Sequence, residues 1–287
     1  MFDLIVANFN NAKFLNVFFD SIQNSTLLPQ KIIFVDDCST DNSLEIVDSY
    51  ITQNKLDILL IKNVRNMGFA ESLNIAISNI SSPYFARLDP DDYVKPERFK
   101  LQLEFIKSNQ NIDLVGTNVI YILKGKTKST SNVETNRKII QKKIIKGVLP
   151  LIHGSIFGRS KIIMNYKYNQ DLVPAEDYDL FAFLIKNGIS ITNLKTPLTY
   201  VNIHENSVSN DLKFSTVMKR YDICYKYFKI NKSFIGRFLE YKQLYFYRKF
   251  LYESTMLKYY YLIISSILNP IKVVKKLTNI IFLALKK

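Results

Sequence analysis

The chain has 287 residues, 47% hydrophobic and 22% charged, with two widely separated cysteines. This is the composition of a folded chain that buries a sizeable core, and it excludes intrinsic disorder, a disulfide framework and a cysteine-spaced zinc site. The formal charge of +14 is uneven: residues 1–210 hold 23 Lys and Arg against 21 Asp and Glu, while residues 211–287 hold 16 against 4, a local excess of +12. Such an imbalance speaks to partners and not to fold.

The N-terminal stretch MFDLIVANFNNAKF lacks a basic start, and its apolar run breaks at Asn8, Asn10 and Asn11, so no secretory signal is expected. Within it, LIVAN (4–8) reads as a buried strand. AKFLNVFFDSIQN (12–24) has helical spacing, with apolar residues at 14, 15, 18, 19 and 22. KIIFVDD (31–37) is a β-branched strand ending in acids, and STDNSLEIVDSYI (39–51) opens with polar cap residues and continues as an amphipathic helix. DILLIKN (57–63) is a third strand, GFAESLNIAISNI (68–80) a helix and YFARLD (84–89) a fourth strand. PERFKLQLEFIKSN (96–109) opens a helix with proline, where the missing N–H costs nothing. This alternation predicts an α/β fold with a parallel sheet, which binds ligands beyond the carboxyl ends of its strands.

After Ile112 the alternation loosens. DLVGTNVIYIL (113–123) predicts a strand, KGKTKSTSN (124–132) a loop or hairpin, and LPLIHGSIFGR (149–159) an extended segment. AEDYDLFAFLIKNG (175–188) predicts a helix and ISITNLKTPLTYVNI (189–203) a strand. From about residue 211 the chain is helical and aromatic in character. A boundary is therefore expected near 205–215, between a domain of residues 1–210 and a basic helical region of residues 211–287.

Two strand ends carry acids. Asp89, Asp91 and Asp92 place three aspartates within four positions. A capped turn explains one of them; three repel one another unless a cation or a set of donors offsets the charge. Carboxylate oxygens suit Mg²⁺ or Mn²⁺, which also bind substrate phosphates. Asp36-Asp37 ends the second strand. One of Asp37, Ser39 and Asp41 serves as a cap for the next helix, and a further carboxylate there can accept a hydrogen bond from a nucleobase imide.

In order and spacing, IVANFNNAKFL, IIFVDDCSTDNSLEIV, NMGFAESLNIAI and ARLDPDDYVKPERF resemble the family 2 glycosyltransferases of the GT-A fold. The resemblance runs on through IHGSIFGR (152–159), AEDYDLFAFLIKNG and LTYVNIHENSVS (198–209), so it covers roughly the first 210 residues. It implies a nucleotide pocket lined by Ala7 and Phe9, with Asp37 at the base-binding position. The family's DxD element maps onto Asp89, facing ribose or sugar, and Asp91, ligating Mn²⁺ or Mg²⁺, with Asp92 in a supporting place. Glu176-Asp177 matches the later acidic element, with Asp177 as catalytic base. His153 and His204 match positions near the acceptor and diphosphate. The chain departs from the family where Ala7 and Phe9 replace a usual proline and tyrosine, and where Glu71-Ser72-Leu73 precede Asn74 without a basic neighbour.

Physical chemistry supports the same division of labour. Sugar transfer builds negative charge on the departing diphosphate, which a divalent cation neutralises. The acceptor hydroxyl must lose a proton, and a carboxylate on a separate element can take it. An ordinary Asp pKa of ~3.9 is low for a base at neutral pH, so burial or neighbouring acids such as Glu176 and Asp179 must raise it. The plain alternative is that Glu176, Asp177 and Asp179 simply favour a helix N-terminus. For His153 and His204 it is a core histidine and a loop histidine.

In the last 77 residues, YYYLIISSILN (259–269) stops at Pro270 and IIFLAL (280–285) is short. Neither reaches the ~20 apolar residues of a membrane span. In IKVVKKLTNIIFLALKK, residues 273, 277, 280/281 and 284 share one helical face with lysines mainly away from it. That pattern fits either an anionic membrane interface or a helix packed on the catalytic domain. No nucleic-acid motif accompanies the basic residues, and nucleic acid is not expected as a partner.

The resemblance therefore implies an inverting glycosyltransferase that uses a nucleotide sugar, UDP-linked by expectation, and with the basic tail it leads us to expect a lipid-linked saccharide acceptor of a bacterial surface polysaccharide. A cytoplasmic placement at the inner membrane face is expected. Two rivals stand beside this reading. A sugar nucleotidyltransferase would want a Gly-rich basic loop in place of ANFNNAKF, and a non-catalytic membrane scaffold would be expected to have lost the DxD or the base.

Overall fold

A computed structural model describes residues 1–204, 213–252 and 256–268. The C-terminal stripe at 271–287 and most of the expected 205–215 boundary lie outside them. The strands are β1 (Phe2–Asn8), β2 (Lys31–Asp36), β3 (Ile58–Lys62), β4 (Tyr84–Arg87), β5 (Tyr93–Val94), β6 (Leu114–Leu123), β7 (Lys126–Thr130), β8 (Phe157–Arg159) and β9 (Ile191–Ile203). The helices are α1 (Ala12–Gln23), α2 (Ser43–Thr52), α3 (Phe69–Ser78), α4 (Arg98–Ser108), α5 (Arg137–Ile145), α6 (Glu176–Lys186), α7 (Phe214–Phe228), α8 (Phe234–Tyr252) and α9 (Leu257–Leu268).

One sheet joins all these strands in the order β3-β2-β1-β4-β8-β6-β9-β5, with β7 hairpinned onto β6. The first four strands are parallel, as expected. Beyond β4 the sheet is mixed: β8 runs antiparallel to β4 and β6, β9 parallel to β6, and β5 antiparallel to β9. The mixed part begins after β4, in the stretch where the alternation of strands and helices loosens. The fold class is α/β of the GT-A kind.

Strand alternation sorts the core into two layers, because successive side chains point to opposite faces. Phe2, Leu4 and Val6 of β1 join Ile32 and Phe34 of β2 against Leu15, Phe18 and Phe19 of α1 and Phe99 of α4. Ile5 and Ala7 join Ile33 and Val35 on the other face, against Leu73 and Ala76 of α3 and Tyr178 and Phe181 of α6. Both faces are covered, so β1 and β2 read as continuous apolar runs.

Strand order reverses direction of travel at β1: the chain steps outward to β2 and β3, then returns to β4 on the other side. A crevice opens at such a point beyond the strand ends. Ala7 and Asn8 close β1 there, Asp36 closes β2, and the Asp89–Asp92 loop follows β4.

Some local expectations shift. α2 begins at Ser43, because Asp41 turns back to accept the Ser43 N–H at 3.0 Å and fixes the preceding residues as a loop. The 149–159 stretch is not extended throughout: it makes a 3-10 turn at His153–Ser155 and only then the short β8.

Candidate active site

A cavity of about 590 Å³ occupies the crevice. Of the residues singled out in the sequence, Ala7, Phe9, Asp37, Asp89, Asp91 and His204 line it. Gly68, Phe69 and Ser72 from the start of α3 complete one wall.

The β2 end is built from carboxylates that organise backbone. Asp36 accepts from the Asn8 amide at 2.8 Å and from the Ser39 N–H and hydroxyl at 2.9 and 2.6 Å, tying the β1 end to the β2–α2 loop. Asp37 accepts from Asn63 Nδ2 at 2.8 Å, Met67 N–H at 2.7 Å and Gly68 N–H at 2.8 Å. A carboxylate offers about four lone-pair sites, so Asp37 keeps room for one more donor. Gly68 has φ +90°, and a Cβ there would lie 2.5 Å from the Gln170 side chain. Only glycine fits this corner of the wall.

The acidic loop after β4 rests on buried arginines. Arg87 holds both oxygens of Asp89, with Nη1 to Oδ2 at 2.8 Å. Beneath it, fully buried Arg98 donates to the Arg87 carbonyl at 2.8 Å and to Gln102 at 3.1 Å. Gln102 in turn donates to the Ser155 carbonyl at 2.8 Å, which anchors the 3-10 turn. That turn presses close: a Cβ on Gly154 would lie 2.9 Å from Asp89 Oδ2 and 3.4 Å from Asp92 Oδ2.

β9 secures the far side of the loop. Asn202 N–H donates to Asp92 Oδ1 at 3.0 Å, and His204 Nε2 lies 2.9 Å from Asp91 Oδ2. Burial, with the charge of Asp91 beside it, pushes the Asp89 carboxyl up against the pull of Arg87. Burial and the Asp91 and Asp89 charges push Asp92 well above the usual range.

A second acidic group stands at the start of α6. Tyr166 donates to Asp179 at 2.7 Å and Lys226 approaches it at 3.2 Å, so Asp179 is a structural acid. Glu176 is buried, and its Oε2 has no hydrogen-bond partner. Burial and the neighbouring Asp177 push the Glu176 carboxyl up to about 8. Burial likewise pushes Asp177 up to about 6, outweighing the Tyr178 N–H at 2.6 Å and the charge of Arg220.

Four expected site residues lie outside the cavity lining. Asp92, 4% exposed, and His153, 8% exposed, do not line the cavity. Asp92 stands behind Asp89 and Asp91. His153 bonds the Tyr168 hydroxyl at 2.7 Å and packs its edge against Phe181, and burial lowers its pKa so that it stays neutral. Glu176 and Asp177 also sit outside the cavity lining.

A strap that no local motif foretells joins these parts. Asn74 on α3 pairs both ways with the Tyr168 backbone: Nδ2 to the carbonyl at 2.9 Å, and Oδ1 from the N–H at 2.8 Å. Gln170 accepts the Ala70 N–H at 2.9 Å. The segment from Tyr166 to Ala175 is thereby stitched to α3, a cavity wall, and through Tyr166 to α6, which carries Asp177.

A sequence model described as glycosyl transferase family 2 matches residues 3–166. The chain belongs to that family. It is a glycosyltransferase. An uncharacterized glycosyltransferase of Methanocaldococcus jannaschii is 28% identical over 281 residues, covering 96% of this chain and 92% of its own. The amylovoran biosynthesis glycosyltransferase AmsE of Erwinia amylovora is 27% identical over 213 residues, 73% of this chain and 79% of its own. Among solved structures, S. aureus TarS 1-349 in complex with UDP-GlcNAc superposes with a TM-score of 0.67 at 19% identity, covering 89% of this chain and 74% of that one. Mannosyltransferase PcManGT from Pyrobaculum calidifontis, in complex with GDP-Man and Mn²⁺, gives 0.58 at 14% identity, with 99% and 80% covered. These two likenesses concern the fold.

Proposed function

We propose that this glycosyltransferase takes a sugar from a nucleotide diphosphate, UDP-linked in our reading, and transfers it to a saccharide hydroxyl with inversion. The observation that carries the reading is one cavity lined by Asp37, Asp89 and Asp91, with a second acid pair, Glu176 and Asp177, outside its lining and raised into the range of a base and a neutral acid. Asp37 meets the base, Ala7 and Phe9 flank it, and Asp89 faces the ribose or sugar. The acceptor oxygen bonds to the anomeric carbon as the bond to the diphosphate oxygen breaks, and the diphosphate leaves with that electron pair. Asp177 takes the acceptor proton; a carboxyl near 6 is largely ionised at neutral pH yet basic enough to accept it. Glu176, near 8, stays protonated beside it and spares the pair a second charge.

The residues fit a divalent cation. A carboxylate and an imidazole converge at Asp91 and His204, and the crowded Asp89 and Asp92 charges favour a cation nearby. Asp91 and His204 would hold Mn²⁺ or Mg²⁺. When bound, such an ion acts as a Lewis acid toward the leaving diphosphate. Asp92 and His153 support the site from behind.

The ligands named for TarS and PcManGT support a nucleotide-sugar donor, and the name of AmsE supports polysaccharide biosynthesis. We assign residues 1–210 to catalysis and residues 211–287 to meeting a lipid-linked acceptor at the cytoplasmic membrane face. The +12 charge of residues 211–287 supports that assignment. Among the described residues no helix is long and apolar enough to cross a membrane. The test is nucleotide release from a panel of UDP-, GDP- and dTDP-sugars with Mn²⁺ and a saccharide acceptor. Release from a UDP-sugar is expected; no release from any donor would overturn the reading.

A further inference from the structure

The last two helices leave apolar side chains in solvent in a regular pattern. On α9 and the residue before it, Met256, Tyr260, Ile263 and Ile267 recur at steps of four, three and four, so they share one helical face. All are exposed, Ile263 by 59% and Ile267 by 75%. On α8, Ile235, Phe238, Lys242, Tyr245 and Lys249 follow steps of three and four along one face. Ile235 is 69% exposed.

The opposite sides of these helices are occupied. Gln243 of α8 donates to Ser265 of α9 at 3.1 Å, and both are buried. The exposed faces are therefore not the seam between the two helices.

The charges around these faces are lopsided. Asp222 is engaged by Arg237 at 2.7 Å, and Glu240 is held by Lys232 and Tyr221. Lys242 and Lys249, by contrast, lie over aromatic rings of their own face: Lys242 is 5.3 Å from the Phe238 ring and Lys249 is 5.8 Å from the Tyr245 ring. Ammonium groups held over rings of the same face put positive charge beside its apolar surface.

We infer that the exposed faces of α8 and α9 form a docking surface for an anionic lipid bilayer. The apolar and aromatic residues enter the headgroup boundary, and Lys242 and Lys249 meet lipid phosphates. A second copy of the chain fits less well. Its own +12 region would meet this one with like charge, and lysines at two of five seam positions would be desolvated without partners. The surface gives the membrane-side acceptor of the proposed function a structural basis and rests on that reading only for its purpose. It can be tested without any sugar donor.

The experiment is flotation of the full chain with vesicles of phosphatidylcholine alone or with 30% phosphatidylglycerol, at low and high salt. Circular dichroism melting controls for folding. The wild type should float with the anionic vesicles only, and less at high salt. The I263E/I267E double variant alters two solvent-exposed positions, so it should melt as the wild type does and lose at least tenfold in vesicle binding. K242A/K249A should bind roughly 30-fold more weakly, the loss expected for two headgroup attractions of about 1 kcal/mol each.

Several outcomes overturn the inference. One is a wild type that ignores anionic vesicles. Another is binding that survives both double variants but is lost in K272A/K275A/K276A, which would assign the contact to the C-terminal residues. A third is a dimer in light scattering that I263E/I267E dissolves, which would make the face a contact between copies. If binding to vesicles holds while no donor is turned over, the surface stands and the proposed function falls.

Discussion

The loop after β4 and the first turn of α6 both crowd carboxylates, but their surroundings treat the charge differently. Asp89 receives Arg87, Asp91 receives His204 and Asp92 receives the Asn202 N–H, with Arg98 buried below. Each aspartate of the loop has a partner that fixes its position, although burial and mutual repulsion still raise Asp89 and push Asp92 well above the usual range. At α6, Glu176 keeps an oxygen without a partner and Asp177 has one close backbone N–H. Under-neutralised acids hold protons more tightly. The contrast is one of partners: the first group is held in fixed geometry, and the second keeps an oxygen free to exchange a proton.

The sharpest way to break this contrast is Asp177→Asn, which keeps shape and removes the proton acceptor. Transfer should fall about 10³-fold, within the range for a lost general base, while UDP binding with Mn²⁺ persists in calorimetry. In the wild type, kcat/KM should climb as pH rises through about 6 and then level off, since the carboxyl must be ionised to act. Near-normal transfer by the variant would place the base elsewhere.

Asp91→Asn attacks the other side of the comparison. Transfer should drop by roughly 10²-fold or more, and the metal dependence of UDP binding should vanish in the same calorimetric titration. Unchanged metal-dependent binding would remove Asp91 from the cation site.

How far the sequence reaches depends on whether its signals are local. β1 to β4 and α1, α3 and α4 follow from apolar runs and helical spacing that need no distant partner. α5 is not foretold because RKIIQKKII interleaves four basic residues with its isoleucines, and its Ile140 and Ile144 find their core only through tertiary packing. β5 has only two residues and exists by pairing with β9, more than a hundred positions away. The same holds at the site. Asp37, Asp89 and Asp91 stand at strand ends and line the cavity. Asp92 and His153 carry the right chemistry but turn into the core, because Asn202 and Tyr168 claim them. Nothing near Asn74 foretells Tyr168, since the two meet only when the 166–175 segment folds back over α3.

Asn74→Ala tests whether that strap aligns the two acid groups. Losing both bonds to Tyr168 should lower kcat about tenfold through misplacement of the α6 acids, with KM for the donor little changed. Asn74→Asp, which can still accept the Tyr168 N–H, should recover part of the rate. An equal loss in donor affinity, measured by UDP calorimetry, would mean that the strap merely shapes the cavity wall.

Glu176→Gln should have the smallest effect on rate and the most informative effect on stability. The carboxyl sits near 8 in the fold against an ordinary 4.5, so the native state binds a proton that the unfolded chain gives up. Where the folded state holds more protons, stability falls as pH rises. The contribution is fully present below about 4.5 and disappears as pH climbs through about 8. Glutamine is neutral throughout and escapes this loss. The two proteins should therefore melt at similar temperatures near pH 4.5, and the variant should melt progressively higher as pH approaches 8. The gap there should correspond to a few kcal/mol, or several degrees. Transfer should change by less than about tenfold, because a protonated glutamate and a glutamine present similar neutral groups beside Asp177. A melting difference that does not vary with pH would show that Glu176 is already ionised in the fold, and the contrast between the two acid groups would fail at α6.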